Sequence, residues 1–427
     1  MPTSTSSQRK LMGSPSVSLN VRRLGPYVLS ALVLAACATQ VTSGGTTSTT
    51  QHQTLATSQA TSPTSTTQHP TPSTAHAITG KFSVWSLAFP DPEHGMALLG
   101  GFLHGSGPLV TWLDLTKDGG RTWHAEPWTA SAAAAGPNSL DAVMGSFAYA
   151  WGPDDLYATT NDGLTWRLVD TRITDLASVG GNTWALTSSC ATPGSCRTKV
   201  LASGSPGAAF SPVASQPPIG GATVVRFIHP GLATGYLLAT SSGTGRQQLW
   251  KTSDGGALWS RLALPCRQSN ASINDLAGDS ANSLWLVCSW GPMLSSSGLR
   301  STGFVRSNDG GVTWHVVSSR AFHLFGATID PLTSSTAWAW AGTQSAGNNP
   351  GAVFRTTDGG SAWAAVEALG TGSPQLHQLL ASAFAATTAS DAWVAGLNAA
   401  PGASPLEVLH TANGGRSWTS SPLPAPA

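Results

Sequence analysis

From residue 79 onward, short apolar segments alternate with polar turns along the chain. The clearest segments carry a tryptophan between small or aliphatic residues, as in N-T-W-A-L-T, S-L-W-L-V-C, T-A-W-A-W-A and D-A-W-V-A-G, which begin at Asn182, Ser283, Thr336 and Asp391. Each is preceded by a short apolar run and a turn, and each is followed by a further strand such as Leu249–Thr252. Short apolar and aromatic runs bounded by turn residues are typical of β-strands. The pattern predicts repeated units of four antiparallel strands.

An eight-residue polar box closes the third strand of each unit. It reads T-K-D-G-G-R-T-W, T-S-D-G-G-A-L-W, S-N-D-G-G-V-T-W, T-T-D-G-G-S-A-W and T-A-N-G-G-R-S-W, starting at Thr116, Thr252, Ser307, Thr356 and Thr411. A sixth copy, T-N-D-G-L-T-W from Thr160, lacks one glycine, and a seventh, S-G-S-P-G-A-A-F from Ser203, has Ser205 in the Asp position and Phe210 in the Trp position. The key positions 118, 162, 205, 254, 309, 358 and 413 follow one another at steps of 44, 43, 49, 55, 49 and 55 residues.

The box has a physical interpretation as a hairpin turn. The Asp carboxylate accepts hydrogen bonds from the backbone N–H groups that follow, the glycines supply positive φ, the Ser or Thr hydroxyl closes the turn, and the Trp ring packs beneath it. We therefore assign structural roles to Asp118, Trp123, Asp162, Trp166, Asp254, Trp259, Asp309, Trp314, Asp358, Trp363, Asn413 and Trp418. Repetition over about 50 residues predicts an all-β fold, a seven-bladed β-propeller of four-stranded antiparallel blades.

These residues resemble the Asp-box, or bacterial neuraminidase repeat, over residues 79–427. Families with this repeat include sialidases, some endoglucanases, sortilin-type receptors and the photosystem II stability/assembly factor group. In them the boxes lie on the face away from the ligand site, so the resemblance implies that the boxes are structural. A repeat of this kind is strong evidence for fold and weak evidence for function.

The N-terminal 78 residues differ from the rest of the chain. Residues 1–36 combine a basic region, a short apolar region and a small-residue end, which is typical of a signal peptide. The end, Leu34-Ala35-Ala36-Cys37, resembles a bacterial lipobox and implies lipidation of Cys37; the alternative is an ordinary secretory signal with an incidental Cys37. Residues 37–78 are rich in Ser and Thr, and residues 38–78 contain no charged side chain, which predicts a disordered tether. We expect an exported lipoprotein on the outer face of a bacterial membrane.

The chain has few charged residues, and this argues against some classes of function. Only 10% of residues are charged and the net charge is +1, which argues against nucleic acid as a partner. The sequence contains no Arg-Ile-Pro motif, no H-x-H or H-E-x-x-H pair and no nucleotide-binding loop, so we expect no metal and no cofactor. Asp91, Asp279, Asp330 and Asp391 are interpreted as turn residues between first and second strands.

One constellation of charged residues remains. Aligning the predicted innermost strands places Asp141, Asp175, Arg226 and Asp275 at equivalent positions, with Ser86 in the first blade. Such side chains would form part of a ring around the propeller axis. Arg172, Arg267 and Arg320 lie in connections into first strands and resemble a sparse form of the arginine-rich patch of the photosystem II assembly factors. In the alternative interpretation, the acids are solvated or cap strand ends and the arginines are ordinary loop charges.

The cysteines complete the predicted site region. With Cys37 acylated, four remain, and an oxidising compartment favours two disulfides. We predict the pairs Cys190–Cys196 and Cys266–Cys288. The hypothesis for function is a non-catalytic binding or assembly scaffold for protein or glycan, membrane-attached through its lipid. The alternatives are a glycoside hydrolase, sialidase-like or endoglucanase-like, and an accessory protein that binds a solute or polymer.

Overall fold

The computed structural model describes most of the chain from residue 80 onward. The described residues are 80–103, 109–128, 136–152, 155–190, 196–220, 222–241, 244–266, 270–294, 299–317, 322–324, 327–341, 352–366, 379–398 and 406–424. The predicted signal peptide, Cys37 and the predicted tether lie outside these ranges, and so do Arg267 and Arg320.

Seven four-stranded antiparallel sheets, the blades, follow one another along the chain, and the strands of each are hydrogen-bonded in chain order. Blades 1 to 4 comprise β1 (Gly80–Ala88), β2 (Gly95–Leu103), β3 (Leu109–Thr116) and β4 (His124–Pro127); β5 (Ser139–Met144), β6 (Phe147–Trp151), β7 (Asp155–Thr159) and β8 (Arg167–Thr171); β9 (Ile173–Val179), β10 (Asn182–Cys190), β11 (Cys196–Ser203) and β12 (Ser211–Pro212); and β13 (Ala222–Gly231), β14 (Thr234–Ser241), β15 (Gln247–Thr252) and β16 (Ser260–Leu262).

Blades 5 to 7 comprise β17 (Ser272–Gly278), β18 (Leu284–Leu294), β19 (Leu299–Ser307) and β20 (His315–Val316), with β21 (Phe322–Leu324) also paired to β19; β22 (Thr328–Pro331), β23 (Ala337–Ala341), β24 (Ala352–Thr356) and β25 (Ala364–Ala365); and β26 (Leu379–Ala386), β27 (Ala392–Asn398), β28 (Leu406–Thr411) and β29 (Thr419–Pro422). In the described residues all regular structure is β, and no helix there is long and apolar enough to cross a membrane.

The blades form a ring with their first strands innermost. Strand β1 contacts β5, β5 contacts β9, β9 contacts β13, β13 contacts β17 and β17 contacts β22, while β26 returns to contact β1. Blade 7 reaches blade 6 through Phe384 of β26, whose ring stacks on Trp340 at 5.9 Å. The predicted all-β, seven-bladed β-propeller is confirmed.

The core is divided into seven apolar layers, each shared by two neighbouring blades. The second strand of each blade supplies most of the buried bulk, because both of its faces are covered. Its large side chains are fully buried in most blades: Tyr149, Tyr236, Trp285, Trp338 and Trp393. Burying a side chain of this size contributes about 2–3 kcal/mol, so these layers account for much of the stability.

The box turns have closely similar contacts in five blades. In blade 5, Ser307 Oγ donates to Asp309 Oδ1 at 2.7 Å, and Gly311 N donates to Ser307 Oγ at 2.8 Å. Thr313 donates to Asp309 with its hydroxyl and its backbone N–H, and these hydrogen bonds hold the pKa of Asp309 well below its usual value. The positive φ angles of Gly310 and Gly311, 70° and 89°, are ones that glycine adopts without strain. Blades 1, 4, 6 and 7 make the same Ser/Thr and backbone N–H contacts through Asp118, Asp254, Asp358 and Asn413. The hydroxyl donor of Thr313 has a counterpart in blade 1, where Thr122 donates to Asp118, whereas Leu258 and Ala362 donate only through the backbone.

The box of blade 2 begins one residue earlier than predicted. Asn161, not Asp162, is the acceptor, because Thr159 Oγ1 and Thr165 N both donate to Asn161 Oδ1 at 2.9 Å. Asp162 occupies the place of the first glycine, with φ 56°. Asp is among the few non-glycine residues that tolerate this left-handed region. The box is therefore complete from Thr159 to Trp166, and the assignment of Asp162 as the turn's carboxylate was wrong.

The box of blade 3 keeps the turn with different partners. Ser203 Oγ donates to the carbonyl oxygens of Ser205 and Ala208, and Gly207 has φ 71°. The Tyr149 hydroxyl of blade 2 accepts a hydrogen bond from Gly207 N at 2.9 Å. A side chain of the neighbouring blade thus makes a hydrogen bond to this turn, whereas in the other boxes an Asp or Asn side chain of the turn itself does so.

The ring closes by packing of blade 7 on blade 1, and among the described strands no blade combines segments from both ends of the chain. Phe89 stacks on Trp393 with ring centroids 3.8 Å apart. Trp393 Nε1 donates to Gly119 O at 2.9 Å, and Ser382 Oγ donates to Val84 O at 2.7 Å. Side chains, not a shared β-ladder, hold this seam.

Candidate functional site

The structure places three of the predicted ring residues at equivalent positions. Asp175, Arg226 and Asp275 each follow a β-bulge in a first strand, and they pair with Leu186, Leu238 and Val287. Ser86 pairs with Leu98 in the same way. These positions can be counted from the second-strand residue that pairs with the first residue of the box. In blade 5, for example, Leu284 pairs with Ser307, and Val287, the partner of Asp275, lies three residues after Leu284. The same spacing holds in blades 1, 3 and 4.

Asp141 is not equivalent to these residues, so the predicted alignment was wrong for blade 2. It pairs with Tyr149, whereas the equivalent position, opposite Trp151, is held by Ser139. Asp141 therefore lies two residues further along β5 than the position equivalent to Asp275, and the β-bulge of β5 lies after it instead of before it. The counterpart of Asp141 is Asp330, which lies within β22 opposite Trp338 and not in a turn as predicted.

Arg226 and Asp275 form a buried link across three blades. Arg226 Nε lies 2.7 Å from Asp275 Oδ1, and the two side chains are 13% and 2% exposed. Asp275 Oδ2 accepts a hydrogen bond from Ile329 N of blade 6 at 2.9 Å. A buried charge that is paired and hydrogen-bonded escapes the large penalty of isolation. The pair therefore connects the innermost strands of blades 4, 5 and 6 and is not exposed to a ligand.

Two other inner-strand polar groups, Ser86 and Asp141, also contact a neighbouring blade. Ser86 Oγ accepts from Leu140 N of blade 2 at 3.2 Å. Asp141 is buried, which raises its pKa to about 7, and a hydrogen bond from Ser178 of blade 3 opposes this shift. Asp175 is 7% exposed and accepts from Leu176 N at 2.8 Å. The predicted ring of polar residues exists in part, but its carboxylates face neighbouring strands.

Arg172 lies at the connection between β8 and β9, as predicted. Its side chain is exposed and its φ is 61°. Because Arg267 and Arg320 lie outside the described residues, the predicted arginine trio remains a prediction.

Two buried titratable residues were not predicted from sequence. Asp114 in β3 is 1% exposed, neither carboxylate oxygen has a hydrogen-bond partner among the described residues, and burial raises its pKa to about 7. His229 in β13 stacks on Trp184 at 4.2 Å, and burial lowers its pKa to about 4. The position of Asp114, two residues before the box, was the available signal, since Tyr157, Leu201, Trp250, Val305, Phe354 and Leu409 occupy it in the other blades.

An open cleft of about 620 Å³ lies between blades 4 and 5, at the end of the strands opposite the box turns. One wall is the hairpin that joins β14 to β15, with Arg246 and Gln247, and Arg261 of β16 lies beside it. The other wall is the connection that enters β17, with Ser272 and Ile273. We name this feature the 4–5 cleft; its described lining residues are Thr240, Gly245, Arg246, Gln247, Arg261, Leu264, Cys266, Ala271, Ser272 and Ile273.

The walls of the 4–5 cleft are fixed to each other and to the core. Gln247 Nε2 donates to Ile273 O at 2.9 Å, and Gln247 Oε1 accepts from Ile273 N at 2.6 Å. Cys266 forms a disulfide with Cys288, which confirms that predicted pair and attaches the connection to β18. The cleft is therefore preformed, which reduces the entropy lost when a ligand binds.

The second predicted disulfide is supported only as far as the backbone. Cys190 and Cys196 are direct partners at the end of the β10–β11 hairpin, while their side chains lie outside the description. Within the described residues, no group of three or more His, Cys, Asp or Glu side chains is arranged to hold a metal ion.

The fold and this cleft define a seven-bladed β-propeller with an open cleft lined by two arginines. No protein-family profile and no curated protein matches the chain. Among solved structures it is similar to YCF48 bound to D1 peptide (15% identity, 66% of this chain and 93% of that chain, TM-score 0.40). It is also similar to an ancestral GH74 enzyme (13% identity, 81% of this chain and 46% of that chain, TM-score 0.51). A third similar structure is a Hadza microbial sialidase (14% identity, 77% of this chain and 69% of that chain, TM-score 0.41). At these identities the likeness shows the fold alone.

Proposed function

We propose that this chain is a non-catalytic binding or assembly scaffold for protein or glycan, anchored by a lipid on Cys37 to the outer face of a bacterial membrane. The observation that carries the scaffold role is the 4–5 cleft, a preformed surface whose described lining contains two arginines and no carboxylate or tyrosine. Such a surface has groups that bind and lacks the groups that glycoside hydrolysis requires.

The inner-ring acids support the same proposal. A glycoside hydrolase needs two carboxyl groups that flank the scissile bond and reach the sugar. The raised pKa of Asp141 would suit a general acid, but this residue is 2% exposed. Asp275 is also buried, and Arg226 and Ile329 occupy its two carboxylate oxygens. Neither acid is accessible to a polysaccharide.

The scaffold role is tested by assaying the purified full-length protein for hydrolysis and for binding on the same panel of peptides and soluble polysaccharides. We expect binding without the appearance of new reducing ends. Turnover that survives in Asp141→Asn and Asp275→Asn variants would place the activity elsewhere; turnover that either variant abolishes would identify a hydrolase. Either result contradicts a non-catalytic scaffold.

The anchor is tested independently of the ligand. Cells that express the protein are fed a palmitate analogue, and we expect label in the wild type and none in Cys37→Ala. Label that persists in Cys37→Ala would refute lipidation at this residue and leave the scaffold role untouched.

A further inference from the structure

The 4–5 cleft is positively charged and has no nearby acid to neutralise it. Neither strand segment that forms it contains an acid, since Asp and Glu are absent from residues 235–253 and from residues 255–274. Arg246 and Arg261 are exposed, and neither forms an ion pair with any described residue. Their guanidinium groups are therefore free to meet an anion from solution.

A third arginine, Arg300, lies behind the cleft wall formed by blade 5 and adds to the positive electrostatic potential there. Arg300 of β19 donates from Nη1 to Ser272 Oγ at 3.2 Å and from Nε to Gly291 O at 3.3 Å, and its Nη2 donates to Asn270 O. All three acceptors are neutral oxygens, so the charge of Arg300 is not compensated by these contacts. Arg300 thus positions the cleft wall and adds to its positive potential.

The shape and composition of the lining indicate the kind of anion. Guanidinium groups bind carboxylates through paired N–H donors. Gln247 and Ser272 are polar lining residues that also hold the walls in place through Ile273 and Arg300, while Leu264 and the disulfide sulfur of Cys266 add apolar surface. No described lining residue is aromatic, and aromatic side chains are the usual platform for a sugar ring. A polypeptide segment with spaced carboxylates fits this mixture better than an acidic glycan.

We propose that the 4–5 cleft binds an acidic polypeptide segment, with Arg246 and Arg261 as the residues that contact its carboxylates. This inference rests on the proposed scaffold function and specifies its ligand. Because both arginines are exposed, each contributes modestly, and the attraction weakens as salt rises.

The test measures binding of fluorescently labelled hexaglutamate and hexaglutamine to the full-length protein by anisotropy at low salt. We expect hexaglutamate to bind and hexaglutamine not to bind. Arg246→Gln and Arg261→Gln should each weaken hexaglutamate binding about three- to fivefold, and the double variant about tenfold or more. Arg416→Gln, an exposed arginine in the box of blade 7, is the control for the change in net charge and should bind like the wild type.

Each other outcome overturns the inference. Absence of hexaglutamate binding, or equal binding by the wild type and the double variant, would remove the cleft as the site. A loss in Arg416→Gln as large as in Arg246→Gln would show a diffuse charge effect. Binding of tetragalacturonate in place of hexaglutamate, lost in the double variant, would make the ligand a glycan while keeping the scaffold function; cleavage of tetragalacturonate would contradict that function as well.

Discussion

The seam between blades 4 and 5 and the closing seam between blades 7 and 1 bury a carboxylate under different conditions. At the first seam, Asp275 accepts hydrogen bonds from two backbone N–H groups and lies against Arg226. At the closing seam, Asp114 lies on the same face of β3 as Trp112, which packs against the apolar layer shared by blades 7 and 1. No described residue hydrogen-bonds its carboxylate.

The comparison shows two ways in which a carboxyl group can be buried in this fold. Pairing allows Asp275 to stay buried as part of an ion pair, so its charge contributes to holding three blades together. Asp114 has no such partner, and burial shifts its pKa to about 7, so the neutral form is favoured. At the seam between blades 4 and 5, the charge of Arg226 compensates the buried carboxylate of Asp275. At the closing seam, protonation of Asp114 removes the charge instead.

The largest expected effect comes from removing the counter-charge at the first seam. Arg226→Met leaves Asp275 buried without its cation and should lower the free energy of unfolding by about 3–5 kcal/mol. Urea denaturation measures the change. The double variant Arg226→Met/Asp275→Leu should recover much of the loss, because no unpaired charge remains. A double variant less stable than Arg226→Met would contradict the role of the pair.

A smaller effect, opposite in sign, is expected at the closing seam. The folded-state pKa of Asp114 is raised, so the protonated form stabilises the fold, and the cost of ionisation grows as pH rises from about 4 to about 7 and is complete above that. Asp114→Leu should therefore raise the free energy of unfolding at about pH 8 by up to about 4 kcal/mol.

The control for Asp114 is the isosteric Asp114→Asn, which cannot titrate. The difference in melting temperature between wild type and Asp114→Asn should change between about pH 5 and about pH 8, in favour of the variant at the higher value. A difference that is constant with pH would show that Asp114 does not titrate in this range.

The smallest expected effect lies in the box turn of blade 5, whose Gly310 carbonyl accepts hydrogen bonds from Tyr236 and Lys251 of blade 4. Asp309→Ala removes the acceptor for Thr313 and should lower the melting temperature by a few degrees without altering ligand binding. Asp309→Asn should be milder, because Asn161 and Asn413 serve as acceptors in blades 2 and 7. Equal losses in the two variants would show that the carboxylate charge is what matters there.

The sequence predicted the number of blades and the disulfide of blade 5 because both depend on local chemistry. Two glycines with positive φ and a following tryptophan specify a turn wherever they occur. Cys288 faces Ile273 in the β17–β18 ladder, and Cys266 precedes that strand by a few residues, so the strand assignment alone brings the cysteines together.

The site was harder to predict because register and neighbouring blades decide it. The two-residue difference between Asp141 and the position equivalent to Asp275 depends on strand register, which an apolar strand does not reveal. Asn161 and Asp162 are adjacent residues that can each accept hydrogen bonds. The 4–5 cleft combines a hairpin of one blade with a connection into the next. Asp114 carries no motif; only comparison with its equivalents in the other blades distinguishes it.

Because each blade is built from consecutive strands, the arrangement of the blades in the ring does not depend on where the chain begins and ends. Since every β-ladder between described strands is formed within one blade, the polypeptide could be opened between any two blades and rejoined across the closing seam without dividing a sheet. A circular permutant of this ring would keep all seven sheets, and only the position of the break would differ.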